Sequence, residues 1–130
     1  ANEAIDQKIE FSPKVLLPID FNAPERFDIG AQTIAYFSKI IKTAKTIVWN
    51  GPLGKFEEKP YDIGTNAILH AILDTEAEVV IGGGESLAVL EAAGAMSRVG
   101  FVSSGGGAML EYMSGVELPG IAALKNARVQ

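Results

Sequence analysis

Three short apolar runs without polar alternation, Thr46-Ile47-Val48-Trp49, Glu78-Val79-Val80-Ile81 and Val99-Gly100-Phe101-Val102, alternate with segments whose apolar residues recur every three or four positions. Continuous β-rich runs of this length predict strands buried on both faces, as in a parallel sheet, and the three-to-four spacing marks one face of a helix. Lys14-Val15-Leu16-Leu17-Pro18-Ile19-Asp20 predicts one further buried strand, ending near Pro18. A helix is expected from Asp28, its candidate N-cap, with Ile34, Phe37 and Ile41 on the buried face and Lys42 and Lys45 near its negative end. Thr65 to Leu73 predicts a second helix with Ala67, Ile68, Ala71 and Ile72 inward, and Ser86 to Ala95 a third with Leu87 and Leu90 on one side. Gly105 to Gly107 leads into a fourth helix running through Tyr112, and Pro119 stops that pattern. The order βαβαβαβα, with connections of helical length, predicts a parallel sheet covered by helices.

Length and composition narrow the class. The 130 residues fit one domain, and no apolar stretch approaches the roughly 20 residues that cross a bilayer, so a soluble protein without membrane contact is expected. A formal charge of −5 with no basic cluster argues against nucleic-acid binding, which depends on lysine and arginine neutralising phosphates. The absence of cysteine excludes disulfides and thiolate metal sites and is compatible with a reducing compartment. Ala1-Asn2-Glu3-Ala4 reads as a chain cut within a polar helix, so a fragment is expected.

Each of the three runs ends in a glycine-rich turn before a helix: NGPLGKFE from Asn50, GGGES from Gly82 and SSGGGA from Ser103. In an open parallel sheet, ligands bind outside the carboxyl ends of the strands, where all three turns fall. A helix start offers unpaired N–H groups and partial positive charge, and glycine admits a phosphate close to the backbone, so a shared nucleotide phosphate chain is the expected ligand. Any one such turn is explained equally well by tight packing alone. Neither the GxxxxGK[ST] nor the GxGxxG pattern is present. Glu85 at a helix start either complements the dipole or ligates Mg²⁺ beside phosphates. Glu57 either accepts hydrogen bonds from ribose hydroxyls or is a solvated acid beside Glu58. His70 reads as a surface or edge residue of its helix, and Trp49 as an aromatic core residue.

With these residues in view, the chain resembles the carboxyl-terminal part of phosphoglycerate kinase. The resemblance rests on LLPID at Leu16, DIG at Asp28, TIVWNGPLGKFE from Thr46, GT at Gly64, VVIGGGES from Val79 and VSSGGGAMLEYMSGVELPGIAAL from Val102, in family order from about Lys14 onward. It implies a three-layer, doubly wound, Rossmann-like α/β parallel sheet, with residues 1–130 forming part of the nucleotide-binding domain of a two-domain kinase and the amino-terminal substrate domain absent. It further implies a cytoplasmic glycolytic enzyme, monomeric at full length, that transfers a phosphoryl group between 1,3-bisphosphoglycerate and ADP to give 3-phosphoglycerate and ATP, with Mg²⁺. By the same resemblance Asn50, Gly51, Pro52 and Gly54 line the nucleotide site and Glu57 holds the ribose. Gly83, Gly84, Glu85 and Ser86 handle the metal and nucleotide phosphates, with Glu85 the metal residue, and Gly105, Gly106 and Gly107 attend the phosphoryl group in flight.

Three positions depart from the family pattern: Glu85 replaces aspartate, Ser86 replaces threonine, and Lys55 stands where a small apolar residue touches the adenine, so that only its methylene stem substitutes there. The link from Asp20 to Asp28 is also much shorter than the family's, either trimmed or lacking residues. Without the acid-binding domain and the leading strands, the chain alone is expected to be inactive. The competing expectation is a non-catalytic nucleotide-binding or interaction module of the same fold.

Overall fold

In the computed structural model, which describes residues 14–22 and 24–127, the three continuous apolar runs form one parallel sheet. The strands are β1 (Thr46–Asn50), β2 (Glu78–Gly82) and β3 (Phe101–Ser103), paired in the order β1-β2-β3. Among the described residues, five α-helices accompany them: α1 (Ala31–Ile41), α2 (Ile63–Leu73), α3 (Gly84–Ala92), α4 (Gly106–Met113) and α5 (Pro119–Ala127). A short 3-10 turn covers Met96–Arg98. The class is α/β with helical crossovers between parallel strands, as the alternation of periods predicts.

Register decides which side chains meet. Trp49 lies opposite Ile81, which lies opposite Val102, and Ile47 opposite Val79. Because side chains alternate along a strand, this set shares one face. It packs with Ile68, Leu69 and Ile72 of α2 and Val89 and Leu90 of α3 in one core, where Ile81 and Leu90 are completely buried. Leu69, 1% exposed, belongs to this core although its position was not among those expected inward. α1 packs on α2, and Ile34, Phe37 and Ile41 reach the core from there, as their spacing predicts.

The opposite face corrects the expectation of burial on both sides. Val48, Val80 and Phe101 share a row there, yet Val48 is 38% and Phe101 60% exposed. Continuous apolarity identified the strands, but on this face the described helices leave Val48 and Phe101 uncovered, and α4 approaches it at Gly82, where a Cβ would meet Met109. Lys14–Asp20 departs further: it runs as irregular chain outside the sheet, with Val15, Leu16, Leu17 and Ile19 exposed, because no described strand lies beside it to complete a ladder. Only Phe21 pairs, in an isolated antiparallel bridge with Ile29.

Two helix ends also differ from expectation. α1 has Gly30 at its N-cap, without a side-chain cap, and its first turn is held by Asp20, whose carboxylate accepts from the amides of Gln32 (3.0 Å) and Thr33 (2.6 Å). Asp28 instead accepts from the amide of Gly64 (2.7 Å) in the first turn of α2. α5 begins at Pro119, the residue expected only to end a helix, since proline at the first helical position lacks just an N–H that has no partner there. The polar opening at Ala1–Ala4 lies outside the described residues. Among the described residues, no helix is long and apolar enough to cross a membrane.

Candidate functional site

Parallel pairing brings the last residues of the three strands into one row: Asn50 opposite Gly82, and Gly82 opposite Ser103. The three glycine-rich turns therefore leave the same rim of the sheet, and short bonds tie each to the next. The Ser86 hydroxyl accepts from the amide of Gly51 at 2.7 Å, joining the first turn to the second. The amide of Gly83 donates to the carbonyl of Ser103 at 3.0 Å, joining the second to the third.

The approach is close enough to exclude side chains. A methyl group on Gly106 would stand 2.5 Å from Asn50 Oδ1 and 2.8 Å from both the amide nitrogen and Cα of Gly83. Contacts this short are excluded by overlap, so a glycine at Gly106 lets three backbone segments meet. Gly83 is the N-cap of α3 with φ 91°, a left-handed value that suits glycine. α3 and α4 both start at this rim without side-chain caps, so their first amides and positive dipole ends face the same edge. Such an edge is suited to anionic oxygens.

The side chains around it divide into two kinds. Asn50, Glu57 and Glu85 are exposed at the turns, Glu85 in the first turn of α3. Ser86 is fully buried, and its hydroxyl serves the first turn. Pro52 is half-buried, Gly54 exposed, and the Lys55 ammonium pairs with Glu58 and lies 5.4 Å from the Phe27 ring centroid. Gly84, Gly105 and Gly107 are exposed, so their backbone remains open to solvent. Among the described residues, no three His, Asp or Glu side chains gather to hold a metal. Glu85 alone fits a magnesium ion that takes most of its ligands from phosphate and water, and would offer it one carboxylate.

Two residues whose bracing role the sequence does not reveal hold this rim: Thr65, 1% exposed, and Asp28, 3% exposed and expected only to cap the helix next to it. Thr65 Oγ1 accepts from the amide of Leu53 at 2.8 Å and donates to its carbonyl at 2.6 Å. The signal was the Gly64-Thr65 pair at a helix start together with an aspartate before Ile29-Gly30, but each has many local uses. A cavity of about 460 Å³ lies between α2 and α3, lined by Phe56, Asp62, Thr65, Asn66, His70 and Ala92 among others, and none of the rim glycines reaches it. His70 is exposed on that groove, as expected of an edge residue.

Fold and rim together define an α/β protein with a parallel sheet whose strands end at one glycine-lined rim. The family model described as phosphoglycerate kinase matches residues 7–116, and the chain belongs to that family. The phosphoglycerate kinase of Solibacter usitatus is 47% identical over 97 residues, covering 75% of this chain and 25% of the relative. That of Clostridium botulinum strain Hall is 39% identical over 147 aligned positions, covering 97% of this chain and 37% of the relative. The crystal structure of phosphoglycerate kinase from Pyrococcus horikoshii superposes with a TM-score of 0.77 at 34% identity, over 95% of this chain and 36% of that one. The chain thus spans about a quarter to a little over a third of the length of the relatives it matches.

Proposed function

We propose that this chain supplies part of the Mg-nucleotide site of a phosphoglycerate kinase, within the carboxyl-terminal domain of a two-domain glycolytic enzyme of the cytoplasm. The observation that carries the reading is the meeting of Asn50, Gly83 and Gly106 at one rim, where two uncapped helix starts face the same edge. ADP and ATP are the nucleotides, and 1,3-bisphosphoglycerate and 3-phosphoglycerate the partners of the complete enzyme. Asn50, Gly51, Pro52 and Gly54 line the nucleotide, the Lys55 stem lies along the base, and Glu57 receives the ribose hydroxyls. The amides of Gly83 and Gly84 face the phosphates, with Glu85 as the metal's carboxylate and Ser86 holding Gly51 in place. Magnesium bound there neutralises phosphate charge.

In the reaction the acyl phosphate of 1,3-bisphosphoglycerate breaks its bond to the carboxyl oxygen while a terminal oxygen of ADP forms the new bond to phosphorus. Catalysis of this kind rests on positioning and on charge stabilisation rather than on covalent help from the protein. The amides of Gly105, Gly106 and Gly107, at the start of α4, face the transferring group. This chain holds one side of that arrangement, so its own turnover is expected to be absent.

The Asp20–Asp28 link is read as a trimmed excursion. Backbone bonds of 3.0 Å close it, the amide of Asn22 donating to the carbonyl of Asp28 and the amide of Arg26 to the carbonyl of Asn22. Titration with MgADP tests the site. Glu85→Ala should weaken binding by about tenfold when Mg²⁺ is present and leave binding of metal-free ADP unchanged, an effect the size of one charge-assisted contact. Equal affinity of the two proteins for MgADP would remove Glu85 from the metal.

A further inference from the structure

The turn from Asn50 to Glu57 is held from three sides. Ser86 takes the amide of Gly51, and the carbonyl of Phe27 accepts from the amide of Lys55 at 2.7 Å. Between these, the hydroxyl of Thr65 satisfies both backbone groups of Leu53. Such a two-way bond fixes the peptide planes on either side of Leu53, because the hydroxyl donates to one group and accepts from the other.

Thr65 is itself seated by its neighbour. Asp28 Oδ2 accepts from the amide of Gly64, and Asp28 Oδ1 accepts from the amide of Ile29 at 2.8 Å. One buried carboxylate thereby joins the Phe27–Ile29 strip to the first turn of α2. The strip holds Lys55, and the first turn of α2 holds Leu53. The path from Asp28 through Gly64 and Thr65 to Leu53, and back through Lys55 and Phe27, is a closed ring of hydrogen bonds around the turn. The protein's buried polar side chains among the described residues are Asp28, Thr33, Thr65 and Ser86, and three of the four serve this one turn.

We propose that Thr65, seated by Asp28, is the positioning residue that sets the conformation of the Asn50–Glu57 turn and so its grip on a nucleotide. The proposal rests on reading the rim as a nucleotide site, and its test separates the two. Thr65→Val keeps the shape and deletes both bonds, leaving the Leu53 amide and carbonyl without partners. Thr65→Ser keeps the hydroxyl.

The experiment records backbone amide spectra of the 130-residue chain and its variants, with and without MgADP. Thr65→Val should move the amide signals of Leu53, Gly54 and Lys55 and speed hydrogen exchange at Leu53, while Val80 and Ile81 in the sheet stay in place. MgADP affinity should fall about tenfold, the equivalent of roughly 1.4 kcal/mol. Thr65→Ser should restore both. The proposal is overturned if Thr65→Val leaves the turn signals unmoved, if it shifts sheet and turn alike, or if affinity is unchanged while the turn moves. Should the wild-type chain give no response to MgADP, the nucleotide reading falls, and the amide comparison still decides whether Thr65 sets the turn. If Thr65→Val does not fold, Asp28→Asn, which sets an amide group against two N–H donors, should move the same turn signals; unmoved signals there reject the ring.

Discussion

A single methyl group distinguishes two neighbouring glycines at the rim. At Gly106 it would collide with Asn50 Oδ1 and the backbone of Gly83, whereas at Gly107 it would meet nothing within 4 Å. Gly106→Ala is therefore expected to lose about 1–3 kcal/mol of stability through overpacking, and Gly107→Ala to lose none, as urea denaturation of the two variants would show. Equal stabilities would mean that the three turns do not meet as described. Asp20 gives a second prediction at this scale. The Thr33 hydroxyl above all holds its carboxyl below the usual range; desolvation opposes it, and the amides of Gln32 and Thr33 add to the lowering. A carboxyl whose folded pKa lies below its unfolded value of about 4 adds stability above that pH, and the contribution fades as pH falls through the folded value. Stability should drop on acidification below about pH 4, and Asp20→Asn should flatten that part of the profile. An unchanged profile in Asp20→Asn would remove Asp20 as the brace of α1.

Elements were legible where one physical pattern dominated. The runs ending at Trp49 and Ile81 became β1 and β2 because branched and aromatic residues suit a pleated surface, and the apolar spacing of α1 placed Ile34, Phe37 and Ile41 against the core. The boundaries followed bonds that sequence spacing does not show. Asp28 looked like the cap of the helix next to it but serves α2, 36 positions along the chain, while Asp20 reaches α1 across the Phe21–Ile29 bridge. Pro119 starts α5, since the same missing N–H that ends one helix suits the first turn of another. The glycine turns were legible as a shared rim because strand order and parallel pairing leave them no other place. The bonds of the first turn to Ser86 of the second and to Thr65 of α2 were hidden because a buried hydroxyl looks the same in sequence as an exposed one. The α3–β2 packing carries its own prediction. Leu90 is completely buried, and Leu90→Ala should lower stability by about 2–5 kcal/mol, measured by thermal or urea unfolding. A loss under about 1 kcal/mol would show that α3 is not seated on the sheet as described.

At the scale of the whole molecule, one well-filled core supports a rim whose geometry is fixed from below by buried polar groups, while the row of Val48, Val80 and Phe101 stays partly open. The chain belongs to the phosphoglycerate kinase family yet spans about a quarter to a third of its relatives, so binding and turnover are separable questions. In a coupled assay that detects ATP formed from 1,3-bisphosphoglycerate and MgADP, the 130 residues alone are expected to show no turnover. Substantial ATP formation would refute the assignment of the remaining catalytic groups to other parts of the enzyme. The most direct measurement is a MgADP titration followed by the backbone amide signals of the wild-type chain. Gly51, Gly54, Gly83, Gly84 and Gly106 are expected to shift together along one binding curve. Shifts confined to the groove of Asp62, His70 and Ala92, or separate curves for the three turns, would contradict a single anionic ligand held at the rim.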